Sequence, residues 1–242
     1  MTEKRLQDRL TLITGATRGI GKAVALRFAA EGAHVIALGR TQGALEELDD
    51  EIQALGATAT LIPLDLAKNP DGIDYIAEQI GQRWGRLDVL VGNAAILGPM
   101  ATIAHLSGAD WDKLIATNVM PNLRLLCAFD TLLRRAHEAR VIMVTSGAAQ
   151  KNEPFWGGYG ATKAMVDYVA RTYQAECEGT GIRINSINPG GTRTAMRAQA
   201  KPAEDPMTIP APEDITEAFV VCAEQACPFR AQVINARDYL AE

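Results

Sequence analysis

Tyr159 and Lys163 stand four apart in Tyr159-Gly160-Ala161-Thr162-Lys163, a spacing that puts a phenol and an ammonium on one face of a helix. A free phenol ionises near pH ~10, so acid/base work near neutrality takes about 4 kcal/mol of differential stabilisation. One positive charge at ~4 Å and an effective dielectric of ~20 supplies about that much. Taken alone, such a pair is common on helix surfaces. Its weight comes from Ser146, a hydroxyl following the apolar run Arg140–Thr145, and from Asn93, a polar residue following the run Leu87–Gly92. Open α/β sheets bind ligands at the carboxyl ends of their strands, so these groups are expected to face one crevice.

A second candidate lies near the start of the chain, in Thr14-Gly15-Ala16-Thr17-Arg18-Gly19-Ile20-Gly21. It follows an apolar strand-like run and opens a helical segment, the setting of a phosphate-binding turn. Glycine permits tight turning and close approach to a pyrophosphate, and the helix start supplies free N–H donors. Contacts to a dinucleotide are therefore expected from Gly15, Thr17, Arg18, Gly19, Ile20 and Gly21. The next apolar run ends Leu38-Gly39-Arg40. An acidic residue at this tip would accept from a ribose hydroxyl and repel a phosphate, whereas an arginine offers a phosphate two donors. Arg40, with Arg18 as a second cation, favours NADP(H) over NAD(H).

The elements that must hold these groups follow from the pattern. Runs suited to buried strands at Leu10–Thr14, His34–Gly39, Thr58–Leu64, Leu87–Gly92, Arg140–Thr145, Arg183–Ile187 and, more weakly, Ala231–Ala236 alternate with helical segments. The helices are expected at Gly19–Ala30, Gly43–Leu55, Gly72–Trp84, Asp110–Arg135, Tyr159–Glu178 and Glu213–Ala226. This is the α/β signature of a doubly wound, mostly parallel seven-stranded sheet with helices on both faces. At 242 residues, without repeats or a composition break, the chain reads as one Rossmann-type domain spanning residues 1–242. Only Thr192–Pro212, with four prolines, breaks the rhythm, and it is expected to be a mobile substrate loop or lid.

The net charge of −5 argues against nucleic acid or an anionic membrane as partner. Four cysteines without C-x-x-C spacing and three scattered histidines give no metal-ligand pattern. The charged start, Met1–Asp8, lacks a signal-like apolar stretch, and no run reaches the ~18 apolar residues of a membrane span. A soluble cytoplasmic protein is expected.

Together these motifs resemble the short-chain dehydrogenase/reductase family, in order, from about Leu10 to Thr194. The glycine turn is similar to its T-G-x-x-x-G-x-G pattern, Tyr159 and Lys163 to Y-x-x-x-K, and Asn188-Pro189-Gly190 with Thr194 to N-P-G-x-x-x-T. The resemblance implies hydride transfer between NADP(H) and a carbonyl or secondary alcohol. It assigns proton transfer to Tyr159 and a hydrogen bond on the substrate oxygen to Ser146. Lys163 would lower the Tyr159 pKa and hold the nicotinamide ribose, and Asn118 would anchor a water linking Lys163 to solvent. Asp65, with Leu66 beside it, would meet the adenine, Asn93 and Ala94 its ribose, and Pro189, Gly190 and Thr194 the nicotinamide. A homodimer or homotetramer built on Asp110–Arg135 and Tyr159–Glu178 is also implied.

The sequence departs from the family at Gly92-Asn93-Ala94-Ala95, which replaces N-N-A-G, and in the tail Pro228–Ala236, which lacks the usual glycine-rich ending. Two other readings stay open: a dinucleotide-binding regulatory module without turnover, and a structural protein with a vestigial fold. Substrate choice is expected to lie in Leu97–Ser107, Gln150–Gly158 and Ala195–Pro212, with Ile96, Leu97, Phe155, Trp156 and Met196 giving a partly apolar pocket.

Overall fold

The computed structural model describes residues 4–240. Seven strands form one sheet in the order β3-β2-β1-β4-β5-β6-β7. They are β1 (Leu10–Thr14), β2 (His34–Gly39), β3 (Ala59–Pro63), β4 (Val89–Gly92), β5 (Arg140–Val144), β6 (Arg183–Asn188) and β7 (Val233–Asn235). Every pairing is parallel, so all carboxyl ends share one edge. The strand order reverses between β1 and β4, and a crevice opens at such a switch point.

Side chains alternate across the sheet and build a core on each face. Ile13, Val35 and Val91 pack under α1 (Gly19–Ala30), α2 (Gln42–Ala54) and α8 (Thr216–Ala223) through Phe28, Leu48 and Phe219. Leu12, Ile36 and Leu90 pack under α3 (Gly72–Trp84), α5 (Met120–Arg135) and α6 (Gly157–Glu176) through Ile76, Phe129 and Val166. Among the described residues, no helix is long and apolar enough to cross a membrane.

Two expectations need correction. The long segment Asp110–Arg135 is not one α-helix: α4 (Gly108–Leu114) passes through a π turn, Ile115–Val119, into α5. Pro121 lacks the N–H that would bond the Thr117 carbonyl, and its ring crowds that carbonyl, so the ladder must widen there. The stretch Thr192–Pro212 is not a structureless loop. It contains α7 (Ala195–Ala200), whose cap is the Thr194 hydroxyl accepting from Arg197 N at 3.2 Å, and a short 3-10 turn at Pro206–Thr208. The expected last strand is present despite the atypical tail: β7 pairs Ile187 with Ile234, and Arg237 in the following turn donates to the Gly191 carbonyl.

Candidate active site

The glycine turn connects β1 to α1 beneath the switch point. Gly15 adopts φ +64°, a left-handed conformation that disfavours a side chain. Gly21 has a different reason to be glycine. A Cβ there would lie 2.2 Å from the Gly15 carbonyl oxygen, so only glycine lets α1 start this close to the turn. The Thr14 hydroxyl accepts from both Asn93 N and Ala94 N at 3.0 Å and so staples the turn after β1 to the turn after β4. Asn93 lines the cleft, and its amide donates to the carbonyls of Thr14 (2.9 Å) and Gly15 (3.3 Å), shaping the turn. Thr14 was not singled out from sequence, although a hydroxyl ending a buried strand beside a glycine turn is a readable signal.

These turns form one end of a cleft of about 800 Å³ along the carboxyl edge of the sheet. Arg18 and Arg40, both exposed, line it, and neither has an ion-pair partner among the described residues. Thr17, Gly19, Ile20, Asp65, Leu66 and Ala94 line the same end, joined by Lys68, which the sequence reading did not include. Asp65 is committed locally, accepting from Ala67 N at 3.1 Å and Lys68 N at 3.3 Å.

At the other end, Ser146, Tyr159 and Lys163 converge with Pro189, Gly190 and Thr194. Helix α6 carries Tyr159 and Lys163 on one buried face, at 9% and 2% exposure. Lys163 Nζ donates to the Val144 carbonyl at 2.7 Å and lies 5.7 Å from the centre of the Tyr159 ring. Ser146 follows β5 and receives Ala148 N on its hydroxyl at 3.2 Å. Burial pushes the Tyr159 phenol up to about 12, with the Ser146 hydrogen bond acting in the other direction. The ammonium is turned to a strand carbonyl, and desolvation of the phenolate prevails. Burial also pushes Lys163 down to about 8, opposed by the carboxylate of Asp167. At neutral pH the site thus offers a protonated phenol beside a charged ammonium, the state suited to donating a proton.

Asn118 sits in the π turn, fully buried behind the cleft wall. Its amide donates to the Ile96 carbonyl (2.9 Å) and the Thr162 hydroxyl (3.1 Å), while its side-chain oxygen accepts from Ile96 N (2.8 Å). The Asn118 carbonyl accepts from Asn122 Nδ2 at 2.7 Å. It ties the loop after β4 to the residue preceding Lys163.

Ile96, Leu97, Trp156 and Met196 wall the cleft as expected, whereas Phe155 does not line it and is 54% exposed. Lys113 of α4 adds a cation to the wall. Helix α7 closes one side and is held by charge. Arg197 pairs with both Glu204 oxygens at 2.5 Å, and Lys201 reaches Glu153 of the facing loop at 2.8 Å.

A parallel sheet with a glycine turn and a buried Ser-Tyr-Lys group at its switch point defines a dinucleotide-binding α/β enzyme scaffold. The short chain dehydrogenase family model matches residues 9–205. The chain is 33% identical to the uncharacterized oxidoreductase YciK of Escherichia coli over 221 residues, 89% of this chain and 86% of that one. It is 33% identical to an NADP-dependent 3-hydroxy acid dehydrogenase, YdfG, of Escherichia coli over 183 residues, 75% of this chain and 71% of that one. Among solved structures, a short chain dehydrogenase from Escherichia coli complexed with NADPH superposes with TM-score 0.93 at 30% identity, covering 98% of this chain and all (100%) of that one. This chain belongs to the short chain dehydrogenase family and is an oxidoreductase of that family.

Proposed function

We propose that the chain transfers a hydride between NADP(H) and a small carbonyl compound or secondary alcohol, with Tyr159 as the proton donor or acceptor. The observation that carries this reading is the buried convergence of Ser146, Tyr159 and Lys163 on the cleft that also holds the glycine turn. The residues present fit a dinucleotide. Gly15 and Gly21 keep the turn free of side chains, and a helix start faces the space in front of it. Gly15, Thr17, Gly19, Ile20 and Gly21 would form the pyrophosphate cradle, with Asp65, Leu66, Asn93 and Ala94 around the adenosine part. Pro189, Gly190 and Thr194 would face the nicotinamide, which when bound supplies the hydride.

The substrate oxygen would sit between the Ser146 hydroxyl and the Tyr159 phenol. In reduction, Tyr159 releases its proton to that oxygen while Ser146 donates a hydrogen bond and fixes its position. The Lys163 charge favours the phenolate that results, and the Asn118 carbonyl, which accepts one bond from Asn122 and has a second lone pair, would anchor a water through which the proton is replaced. In oxidation the same groups act in reverse. Arg40, supported by Arg18, would bind the 2′-phosphate. The presence of NADPH or NADP in neighbouring structures and the name of the YdfG relative support that preference. The apolar wall of Ile96, Leu97, Trp156 and Met196 suits an apolar substrate body. We also place a homodimer or homotetramer on the outer faces of α5 and α6, where Met120, Met165 and Tyr168 are exposed.

The test is titration with NADPH and NADH followed by a carbonyl panel, using wild type, Arg40→Asp and Tyr159→Phe. Tighter NADPH binding that Arg40→Asp weakens, together with turnover that Tyr159→Phe removes, supports the reading. Binding of neither nucleotide refutes it, and binding without turnover favours the regulatory module. Mass measurement in solution checks the oligomer, which a strict monomer would refute.

A further inference from the structure

Asp167 is a buried carboxylate that the mechanism above does not use. It lies one helical turn beyond Lys163 on α6, so Tyr159, Lys163 and Asp167 form one stripe at i, i+4 and i+8. It is 4% exposed. Oδ2 accepts the Thr145 hydroxyl at 2.7 Å, while Oδ1 is buried without a partner. Carboxylates are seldom buried so sparsely bonded unless a nearby cation compensates. The end of β5 faces this stripe residue by residue. Val144 accepts Lys163, Thr145 donates to Asp167, and Ser146 presents its hydroxyl to the cleft.

We propose that Asp167 is a positioning residue, a buried counter-charge that keeps Lys163 protonated and fixes its height against the end of β5. The proposal rests on the oxidoreductase reading for its catalytic meaning, but not for its electrostatics. The charged and titratable groups around Lys163 are few. Tyr159 and Asp167 face it from α6 itself, and Asn118, which is neutral, from the π turn. The Ser146 to Ala149 turn brings no charge, while Lys113 of α4 lines the far wall of the cleft. Arg140 of β5 and Arg183 of β6 lie at the opposite ends of their strands. Among the described residues, Asp167 is thus the one carboxylate positioned to act, in accord with its opposition to the burial that depresses Lys163.

The sign of the effect follows from linkage. A lysine whose folded pKa lies below its unfolded value destabilises the fold at low pH, and the penalty is relieved as pH rises from the folded to the unfolded value. Removing the counter-charge lowers the folded value further, so relief begins earlier. In Asp167→Asn, which can still accept from Thr145, the loss of stability relative to wild type should therefore shrink as pH rises from about 7 to about 8 in the protein without cofactor. Denaturant unfolding at a series of pH values reads this. The alkaline limb of kcat/KM for carbonyl reduction should also move down by about one pH unit. Asp167→Glu should restore part of both.

A stability loss independent of pH, with an unmoved limb, overturns the proposal and leaves Asp167 a packing residue. Should Asp167→Asn fail to fold, Thr145→Val strips the carboxylate of its hydrogen bond. It should move the limb, down if the stripped carboxylate takes up a proton and up if it stays charged, and an unmoved limb there overturns the proposal equally. Wild type without turnover fails the oxidoreductase reading alone, because the unfolding experiment still decides whether Asp167 charges Lys163.

Discussion

Strand β5 has a buried cation at each end, and the two are treated in opposite ways. At its start, Arg140 is completely buried and all its donors are used. It donates to the carbonyls of Ala139, Gly181, Glu224 and Gln225 at 2.6–3.1 Å and to the Glu138 carboxylate at 2.8 Å. At its end, Lys163 is 2% exposed, has three donors, and bonds only the Val144 carbonyl. A satisfied guanidinium fastens β5 to the start of β6 and the end of α8, whereas an under-bonded ammonium is held ready to bond something else. Burial alone does not distinguish a structural charge from a working one; the count of its partners does.

The sharpest way to break this comparison is at the phenol. Tyr159→Phe should lower turnover by roughly 10³-fold while leaving nucleotide affinity near wild type, as read by steady-state kinetics and titration. At the other end of β5, Arg140→Met should cost about 3–5 kcal/mol of stability, because it leaves Glu138 and several carbonyls without their donor. Lys163→Met should instead abolish turnover at a smaller cost in stability, since it leaves only the Val144 carbonyl and the Asp167 carboxylate without their cation. Equal losses in denaturant unfolding would dissolve the distinction.

A pH series separates the ends further. Lys163 sits near 8 in the fold and near ~10.4 unfolded, so the unfolded chain binds more protons between these values. Wild-type stability should gain on the order of 2–3 kcal/mol from this residue as pH rises through that window, a gain that Lys163→Met lacks. Arg40→Asp, an exposed change in the cleft, should weaken NADPH binding by roughly 10-fold or more, about 1.4 kcal/mol, without affecting the melting temperature. The smallest effect is expected at Lys22 and Glu51, an exposed pair at 2.7 Å, where Lys22→Ala should cost under ~0.5 kcal/mol.

Much of this arrangement was legible from the chain. Short, nearly continuous apolar runs located the strands within a residue or two, because burial on both faces leaves little freedom in their composition. The glycine turn, Tyr159, Lys163 and Ser146 were readable because each is a particular residue type at a particular element end. What escaped depends on long-range packing. The π turn needed Pro121 to be weighed against an otherwise helical pattern, and the inward turn of the Asn93 amide depends on Thr14, 79 positions away. The turn of Lys163 to the Val144 carbonyl escaped too, because spacing shows which groups share a helix face, not which carbonyl a lysine meets. Asp167 carries no signal in the sequence and stands out only once Thr145 is placed opposite it.

The ion pairs that hold α7 connect the cleft to its solvent. Arg197–Glu204 and Lys201–Glu153 have side chains one quarter to two fifths exposed, so dissolved ions can compete with them. Salt then acts as a throttle on traffic. On the proposed mechanism, high ionic strength should let ligands enter and leave past a looser rim and leave proton transfer deep at the strand end as before. If release of the spent nucleotide limits the cycle, the chain should run faster in brine than in dilute buffer, until weakened capture of the anionic nucleotide reverses the gain.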